Sequence, residues 1–223
     1  MRTIEFRTIA IEETIRTLAD FFSAPSNDPI PQKKREKFSR WAEDLEKILE
    51  QISLFKKHAV PLITSDLEYT FGNRNLVLTA MMQYGMRNVF SEIKTQFGND
   101  PEHPVSPDDL DWLIAAPDTA GSLAWLGDSA IRFAVSLYVW EPKLTKEQLH
   151  NKREALVTDR NLSDLCNHWQ LYRYRFYQDS VQPEEKRLEE IKGTFTEAIF
   201  GVIFVEKGIE GVLKALPLID TKK

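Results

Sequence analysis

The stretch that decides the fold is Leu123-Ala124-Trp125-Leu126-Gly127-Asp128-Ser129-Ala130, and mostly apolar residues continue from it to position 140. Its apolar side chains predict a buried helix. Asp128 lies where this predicted helix becomes wholly apolar, next to Ala130 and Ile131. A carboxylate that faces an apolar interior is unfavourable unless it is paired or holds a cation. Asp128 is therefore a candidate functional residue.

The rest of the chain shows the same helical pattern. There are only nine glycines in 223 residues, and apolar residues recur three and four positions apart almost everywhere. Strand-like alternation is scarce, so the pattern predicts an all-α fold. One clear stripe is formed by Ile11, Ile15, Leu18, Ala19 and Phe22.

The N-terminal part is predicted to be a separate helical unit. A proline-rich break at residues 23–31 follows the first stripe, and a second helix is predicted at residues 33–58, closed by Pro61. We therefore expect a helical hairpin extension over residues 1–60 and a main domain over residues 65–216. The hairpin either caps the main domain or pairs with another chain.

Composition and charge exclude several classes of protein. The chain has 29 Lys and Arg against 34 Asp and Glu, a net charge of −5, which is the wrong sign for gripping nucleic acid by bulk charge. The single cysteine, Cys166, excludes an intramolecular disulfide and a thiolate zinc site. No stretch reaches the roughly 18 apolar residues of a membrane span, and the first residues lack a signal peptide's apolar region. We expect a cytoplasmic protein without membrane contact.

A second carboxylate has the same setting as Asp128. Glu197 stands among Phe195, Ala198 and Ile199 in another apolar helical stretch. Two acids that project toward each other from two buried helices form a Mg²⁺ or Mn²⁺ site in helical bundles. The alternative is that each acid caps a helix or binds a nearby Arg or Lys.

Turn signals divide the main domain. A turn at Gly72-Asn73 precedes a helix from Asn75, and residues 146–166 form two helices broken near Thr158-Asp159. The last helix starts at Pro183 and ends at Gly208. A loop is predicted between Gly98 and Gly121, and its acidic residues are those of a solvated loop: Asp100, Glu102, Asp108, Asp109, Asp111 and Asp118.

Four segments of the chain resemble the nuclease domain of the ribonuclease III family, and along the chain they follow the family's order. The stretch Leu123-Ala124-Trp125-Leu126-Gly127-Asp128-Ser129-Ala130 is similar to the motif E-R-L-E-F-L-G-D-S/A-V. Residues 69–80 resemble the opening Y-x-F-x-n-x-x-L-L-x-x-A segment, and residues 152–157 resemble L-x-x-L-V. Residues 194–204 resemble D-x-F-E-A-L-x-G-A-I-Y. The resemblance spans about residues 65–212 and covers the nuclease domain only.

The resemblance implies cleavage of double-stranded RNA by water activated on Mg²⁺ or Mn²⁺, with four acids per subunit holding the metal. It also implies a homodimer, in which each active valley runs across both subunits and the motif aromatic enters a pocket of the partner. Trp125 occupies the place of that aromatic. The alternative is that Trp125 is an ordinary core tryptophan.

The catalytic pattern is incomplete. Of the family's four metal-holding acids, the glutamate of the motif falls on Ala124 and the aspartate of the last motif falls on Thr194. A further, earlier glutamate of the motif falls on Gly121. Only Asp128 and Glu197 remain of the four acids, so we expect Mg²⁺ or Mn²⁺ to be weakly bound or absent. Three ways to restore the site stay open: Thr194 binding through water, RNA phosphate completing the shell of one metal, or entry of Asp111, Asp118 or Glu147 from a loop.

Basic residues between aromatics form the predicted RNA-binding surface. Arg173 and Arg175 lie in the run Trp169-Gln170-Leu171-Tyr172-Arg173-Tyr174-Arg175-Phe176-Tyr177, a pattern that can stack bases. Lys152 and Arg153 are the other candidates for RNA contact. The alternative for the Tyr-Arg run is a half-buried helical face with snorkelling arginines.

These observations favour a homodimeric ribonuclease III-like protein that binds or organises double-stranded RNA or an RNA-protein particle, with cleavage lost or strongly reduced. The second hypothesis is an active, divalent-metal-dependent endoribonuclease with a rearranged site. The third is a helical interaction protein that keeps only the fold.

Overall fold

A computed structural model describes residues 4, 6–24, 31–97, 103–177 and 184–220. Its helices are α1 (Ile11–Ser23), α2 (Gln32–Leu67), α3 (Arg74–Ala80), α4 (Met86–Phe97), α5 (Pro107–Tyr138), α6 (Lys146–Leu156), α7 (Asp159–His168) and α8 (Glu185–Ala215), with short 3-10 turns at Tyr172–Tyr174 and Leu216–Leu218. Over these residues the only β pairing is an isolated bridge between Met82 and Phe176. The all-α prediction is confirmed.

The two N-terminal helices pack on each other as their apolar stripes predict. Every residue of the α1 stripe is buried, and α2 buries a matching row that includes Trp41, Leu45 and Ile48. Phe22 lies against Trp41 with ring centroids 5.2 Å apart, and Phe97 of α4 closes the same aromatic cluster. Buried side chains from α1 to α8 form one continuous core.

The predicted end of the second helix at Pro61 is wrong, because α2 continues to Leu67. Proline removes one backbone hydrogen bond from a helix. Pro61 lies on the exposed side, while Ala59 and Ile63 are fully buried and hold the helix against the core. A boundary between residues 60 and 65 therefore falls inside a helix. The division into an extension and a main domain stays a prediction.

The predicted acidic loop is also wrong from residue 107 onward. The side chain of Ser106 accepts a hydrogen bond from the backbone N–H of Asp109, and Pro107 starts the helix. Acidic residues in a first helical turn are stabilised by the helix dipole, so Asp108 and Asp109 favour a helix start there. Asp111 and Asp118 follow on the same helix, whereas Asp100 and Glu102 lie outside the described residues.

Side-chain caps set the other predicted breaks. The side chain of Asn73 accepts from the N–H of Leu76 at 3.0 Å, and that of Thr158 accepts from the N–H of Asn161 at 3.1 Å. Each bond satisfies a backbone donor that lacks a partner at a helix start. The turn before α3 and the break between α6 and α7 are confirmed.

Gly208 interrupts the last helix: the helical segment that carries Glu197 ends there, as predicted, and a second segment follows across a kink. Its φ of 62° and ψ of −161° are not helical, yet the helical path resumes and reaches Ala215. Glycine adopts a positive φ without the steric penalty of a Cβ, so the bend is local. The predicted start at Pro183 lies outside the described residues.

None of the described helices combines enough length with enough apolar character to cross a lipid bilayer.

Candidate functional site

The two candidate acids are brought together by a close crossing of α5 and α8. A Cβ on Gly127 would lie 1.8 Å from the carbonyl oxygen of Glu197, and a Cβ on Gly201 would lie 2.1 Å from that of Leu123. Both distances are too short for any side chain. Because Leu123 faces Gly201 while Gly127 faces Glu197, the helices cross in antiparallel directions. The residue after Gly127 is Asp128, so the crossing sets the position of both acids.

Asp128 is paired with a cation of its own helix. Its Oδ1 accepts a hydrogen bond from Nε of Arg132 at 2.7 Å, and its side chain is 31% exposed. The pair is one helical turn apart, the spacing at which an acid and a base on one helix meet. One of the alternatives weighed from the sequence, a bond to a nearby arginine, is thus present.

Glu197 lies in an electrostatically unusual place. Burial and the negative charges of Asp128 and Asp159 together raise the pKa of its carboxyl group to about 7, against an opposing effect of Arg132. Burial disfavours the ionised form, and neighbouring carboxylates repel a further negative charge. Asp128 and Glu197 therefore share one electrostatic environment, as their matching settings in the sequence predicted.

Sequence reasoning missed Asp159 as a part of this environment. Asp159 is the first residue of α7 and follows the capping Thr158. The break at Thr158-Asp159 is visible in the sequence, but the packing of α7 on α8 that brings Asp159 near Glu197 is a tertiary contact. No local pattern signals it.

The positions where acids were expected supply no replacement. Ala124 is buried and has no oxygen in its side chain, and the hydroxyl group of Thr194 donates to the carbonyl of Glu190 at 3.0 Å. Asp111 pairs with Lys94, and Asp118 accepts from Arg87 at 2.5 Å.

Glu147, the remaining alternative ligand, lies exposed in the first turn of α6. Across the described ranges, no three His, Cys, Asp or Glu side chains converge into a set that could hold a metal ion.

Trp125 is exposed, so the alternative of a core tryptophan is wrong for the single chain. The side chain of Trp125 is 72% exposed. It borders an open pocket lined by Ile4, Phe6, Tyr84, Asp118, Gly121, Ser122 and Leu126. Four further large hydrophobic residues on or just after α5 are also exposed: Phe133, Leu137, Tyr138 and Trp140. Exposed apolar surface of this kind is typical of an interaction site.

The predicted RNA-binding residues fall in two places. Lys152 pairs with Glu141 at 3.3 Å and Arg153 pairs with Glu154 at 3.0 Å, both on the surface around α6. The hydrogen bond and the charge of Arg153 lower the pKa of Glu154, with smaller contributions from His150 and Arg132. Cations of α5 and α6 therefore lie near one another.

The Tyr-Arg run is not a helical face but an irregular segment around a 3-10 turn. The guanidinium group of Arg175 lies 3.7 Å from the ring centroid of Tyr172 and 4.0 Å from that of Tyr177, and it donates to the carbonyl of Tyr172. Arg173 is exposed and lies over the ring of Tyr174. Arg175 is occupied within the fold, and Arg173 is open to a ligand.

The turn before α3 is tied to α8 by a carboxylate. Glu206 accepts hydrogen bonds from the backbone N–H groups of Gly72 and Asn73, at 3.0 and 2.8 Å. The segment at residues 69–80 is thus held to α8 two residues beyond the segment at residues 194–204.

Residues 121–208 match the family model of the Ribonuclease III domain. These residues form a ribonuclease III family domain. The match includes the α5–α8 crossing with Asp128 and Glu197, and it covers less than half of the chain. The opening segment at residues 69–80 lies outside it. No curated protein matches the chain at a significant level.

A ribonuclease III domain points to a function connected with double-stranded RNA. Such domains generally depend on a divalent metal and typically dimerise. The donor set of this chain does not fit that metal. Mg²⁺ requires several hard oxygen ligands in a near-octahedral arrangement. Of the two carboxylates that remain, Asp128 is bound to Arg132, and Ala124 offers nothing.

Proposed function

We propose that this protein is a ribonuclease III-like dimer that binds double-stranded RNA, alone or within an RNA-protein particle, and has lost cleavage or retains very little. The observation that carries the proposal is the pairing of Asp128 with Arg132 beside a site that lacks two of the family's four acids. Strand cleavage by this family needs water activated on a metal. A site with fewer anionic ligands binds a divalent cation weakly.

Trp125 is proposed as the centre of a homodimer interface. Its exposed ring and the adjacent pocket at Tyr84 and Gly121 lie on the same side of the molecule. In a dimer with two-fold symmetry, each surface meets its own copy, so a projecting side chain next to a pocket is self-complementary. Aromatic anchors that fill pockets dominate the energy of such interfaces.

The proposed RNA surface is α6 with the exposed Arg173. Lys152 and Arg153 are held only by surface ion pairs, with Glu141 and Glu154. Exposed ion pairs are worth little, so a phosphate group can replace the carboxylate at low energetic cost. Because the whole chain carries a charge of −5, we expect weak binding with a steep dependence on salt. A cytoplasmic location stays a prediction.

Fluorescence anisotropy of a labelled RNA duplex tests the binding proposal. The full chain should bind the duplex and raise its anisotropy at low salt in the presence of a chelator, and the anisotropy should fall as the salt concentration rises. Asp128→Ala should bind as well as the wild type or better, because one negative charge near the phosphates is removed. No retention at any salt concentration would reject RNA binding and favour the helical interaction protein.

The alternative function is an active endoribonuclease. It is favoured by the negative charges of Asp128 and Asp159 near Glu197, which raise the pKa of Glu197 and are a start toward a cation site. An active enzyme would cleave the duplex when Mn²⁺ replaces the chelator, and both Asp128→Ala and Glu197→Ala would abolish the cleavage. The binding proposal predicts intact RNA under the same conditions.

A further inference from the structure

The side chain of Arg132 occupies the place beside Asp128 that a bound cation would need. It follows Asp128 by four residues on α5 and donates from Nε at 2.7 Å. An ion pair of this spacing stabilises a helix more when the acid lies on the N-terminal side of the base. The guanidinium group is charged at every pH at which the protein is folded.

The charge of Arg132 also acts on carboxylates outside its own helix. It acts on Glu197 across the α5–α8 crossing and on Glu154 of α6. One arginine therefore interacts with acids of three helices. The family's metal is held by acids at the positions of Asp128 and Glu197, and here the side chain of Arg132 supplies a positive charge that acts on both.

We propose that Arg132 is a resident counter-cation that replaces the divalent metal at Asp128 and excludes it. Two effects produce the exclusion. Asp128 is already bound, so a metal must break its hydrogen bond to Arg132 to gain one ligand, which is the smaller effect because the pair is partly exposed. A divalent ion at Asp128 would also lie within a few ångströms of a fixed positive charge and be repelled by it. The inference rests on the proposed loss of the metal site and is independent of RNA binding.

The test is a titration of the full chain with Mn²⁺, in which free Mn²⁺ is measured by electron paramagnetic resonance. The wild type should bind Mn²⁺ weakly. Arg132→Ala should bind it about tenfold more tightly, because one repulsive charge is removed and Asp128 is released. Arg132→Gln, which keeps much of the side-chain length, should show the same gain and guards against a folding defect in the alanine variant. Arg132→Ala combined with Asp128→Asn should lose the gain.

Arg16→Ala is the matched control. Arg16 pairs with Glu12 on α1 at the same spacing of four residues, and its side chain is similarly exposed, at 56% against 49% for Arg132. This variant should leave Mn²⁺ binding unchanged. Tight Mn²⁺ binding by the wild type would overturn the inference, and so would unchanged affinity in both Arg132 variants. Failure of the RNA-binding proposal would appear only as missing duplex retention, which this titration does not measure.

Discussion

The two sides of α5 differ in their packing: one is closed against another helix and the other is exposed. The side toward α8 is closed so tightly at Gly127 that a single methyl group does not fit. The opposite side exposes the large apolar side chains of Trp125 and Phe133. The packing of α5 on α8 is complete within one chain, whereas exposed aromatic surface is typical of a site that binds a partner. The domain has thus kept its packing, and it exposes Trp125 at the position where an interface is predicted.

The acidic site lies between these two sides and has changed most. Asp128 remains where the crossing places it, but Ala124, one turn earlier, has no ligand, and Arg132, one turn later, brings a positive charge. Packing and catalytic chemistry are therefore separable on the same helix. The proposed function requires such a separation, in which a ribonuclease III fold persists without its metal chemistry.

The largest effect is expected at the crossing. Gly127→Ala should lower the free energy of unfolding by about 3 kcal/mol or more, because the new methyl group would overlap the carbonyl of Glu197 and force the helices apart. Urea unfolding measures the change. Ser129→Ala, on the exposed side of the same helix, is the control and should change stability by less than about 0.5 kcal/mol. Equal stability of Gly127→Ala and the wild type would show that the crossing is not tight.

The next effect concerns the exposed side. Trp125→Ala should weaken the proposed dimer by about 2 kcal/mol or more, roughly thirtyfold in the dissociation constant, while the free energy of unfolding of the monomer is nearly unchanged. Sedimentation equilibrium at several concentrations measures both species. Leu54→Ala, an exposed apolar residue on α2, should leave the dimer intact. A monomeric wild type would show that the proposed interface at Trp125 is wrong.

Glu197 gives a pH dependence of known sign. Because burial and two neighbouring carboxylates raise its pKa from 4.5 to about 7, the folded state keeps a proton that the unfolded state has already lost. The stability that this proton contributes is complete below about pH 4.5 and is lost as the pH rises through about 7.

After allowance for partial solvent screening, we expect a loss of about 1 to 2 kcal/mol between about pH 5 and pH 8. Glu197→Gln should remove this part of the pH dependence, as measured by unfolding at each pH. Glu189→Gln, on the exposed side of the same helix, should behave as the wild type does. Parallel curves for wild type and Glu197→Gln would contradict the raised pKa.

The smallest effect is expected on the RNA surface. Lys152→Ala and Arg153→Ala should each weaken duplex binding by about threefold to tenfold and reduce the slope of the salt dependence by about one ion. Anisotropy titrations at several salt concentrations give both quantities. Lys47→Ala, an exposed cation on α2, should change neither. Binding that is unchanged in all three variants would place the RNA contact elsewhere.

Local signals in the sequence were sufficient for much of the fold. The stripe of α1 and the caps at Asn73 and Thr158 are short-range patterns, and the structure confirms them. Pro61 was misleading, because burial of Ala59 and Ile63 keeps the helix continuous through this proline. A proline marks a helix end only where packing does not oppose it.

The candidate site shows the same limit. The ion pair of Asp128 with Arg132 follows a spacing of four residues and was within reach of sequence reasoning. The effect of Asp159 on Glu197 was not, because it depends on how α7 packs against α8. The tight approach at Gly127 likewise involves a residue about seventy positions away in the chain.

The most direct test of the central claim is the length distribution of an RNA duplex after incubation with the full chain in Mg²⁺ and in Mn²⁺. If cleavage is lost and RNA binding is kept, the RNA stays full-length in both, while a native gel of the same sample shows the duplex bound to protein. Fragments that appear with the wild type and disappear with Asp128→Ala would contradict that claim, because they would show that the remaining acids still support metal-dependent cleavage.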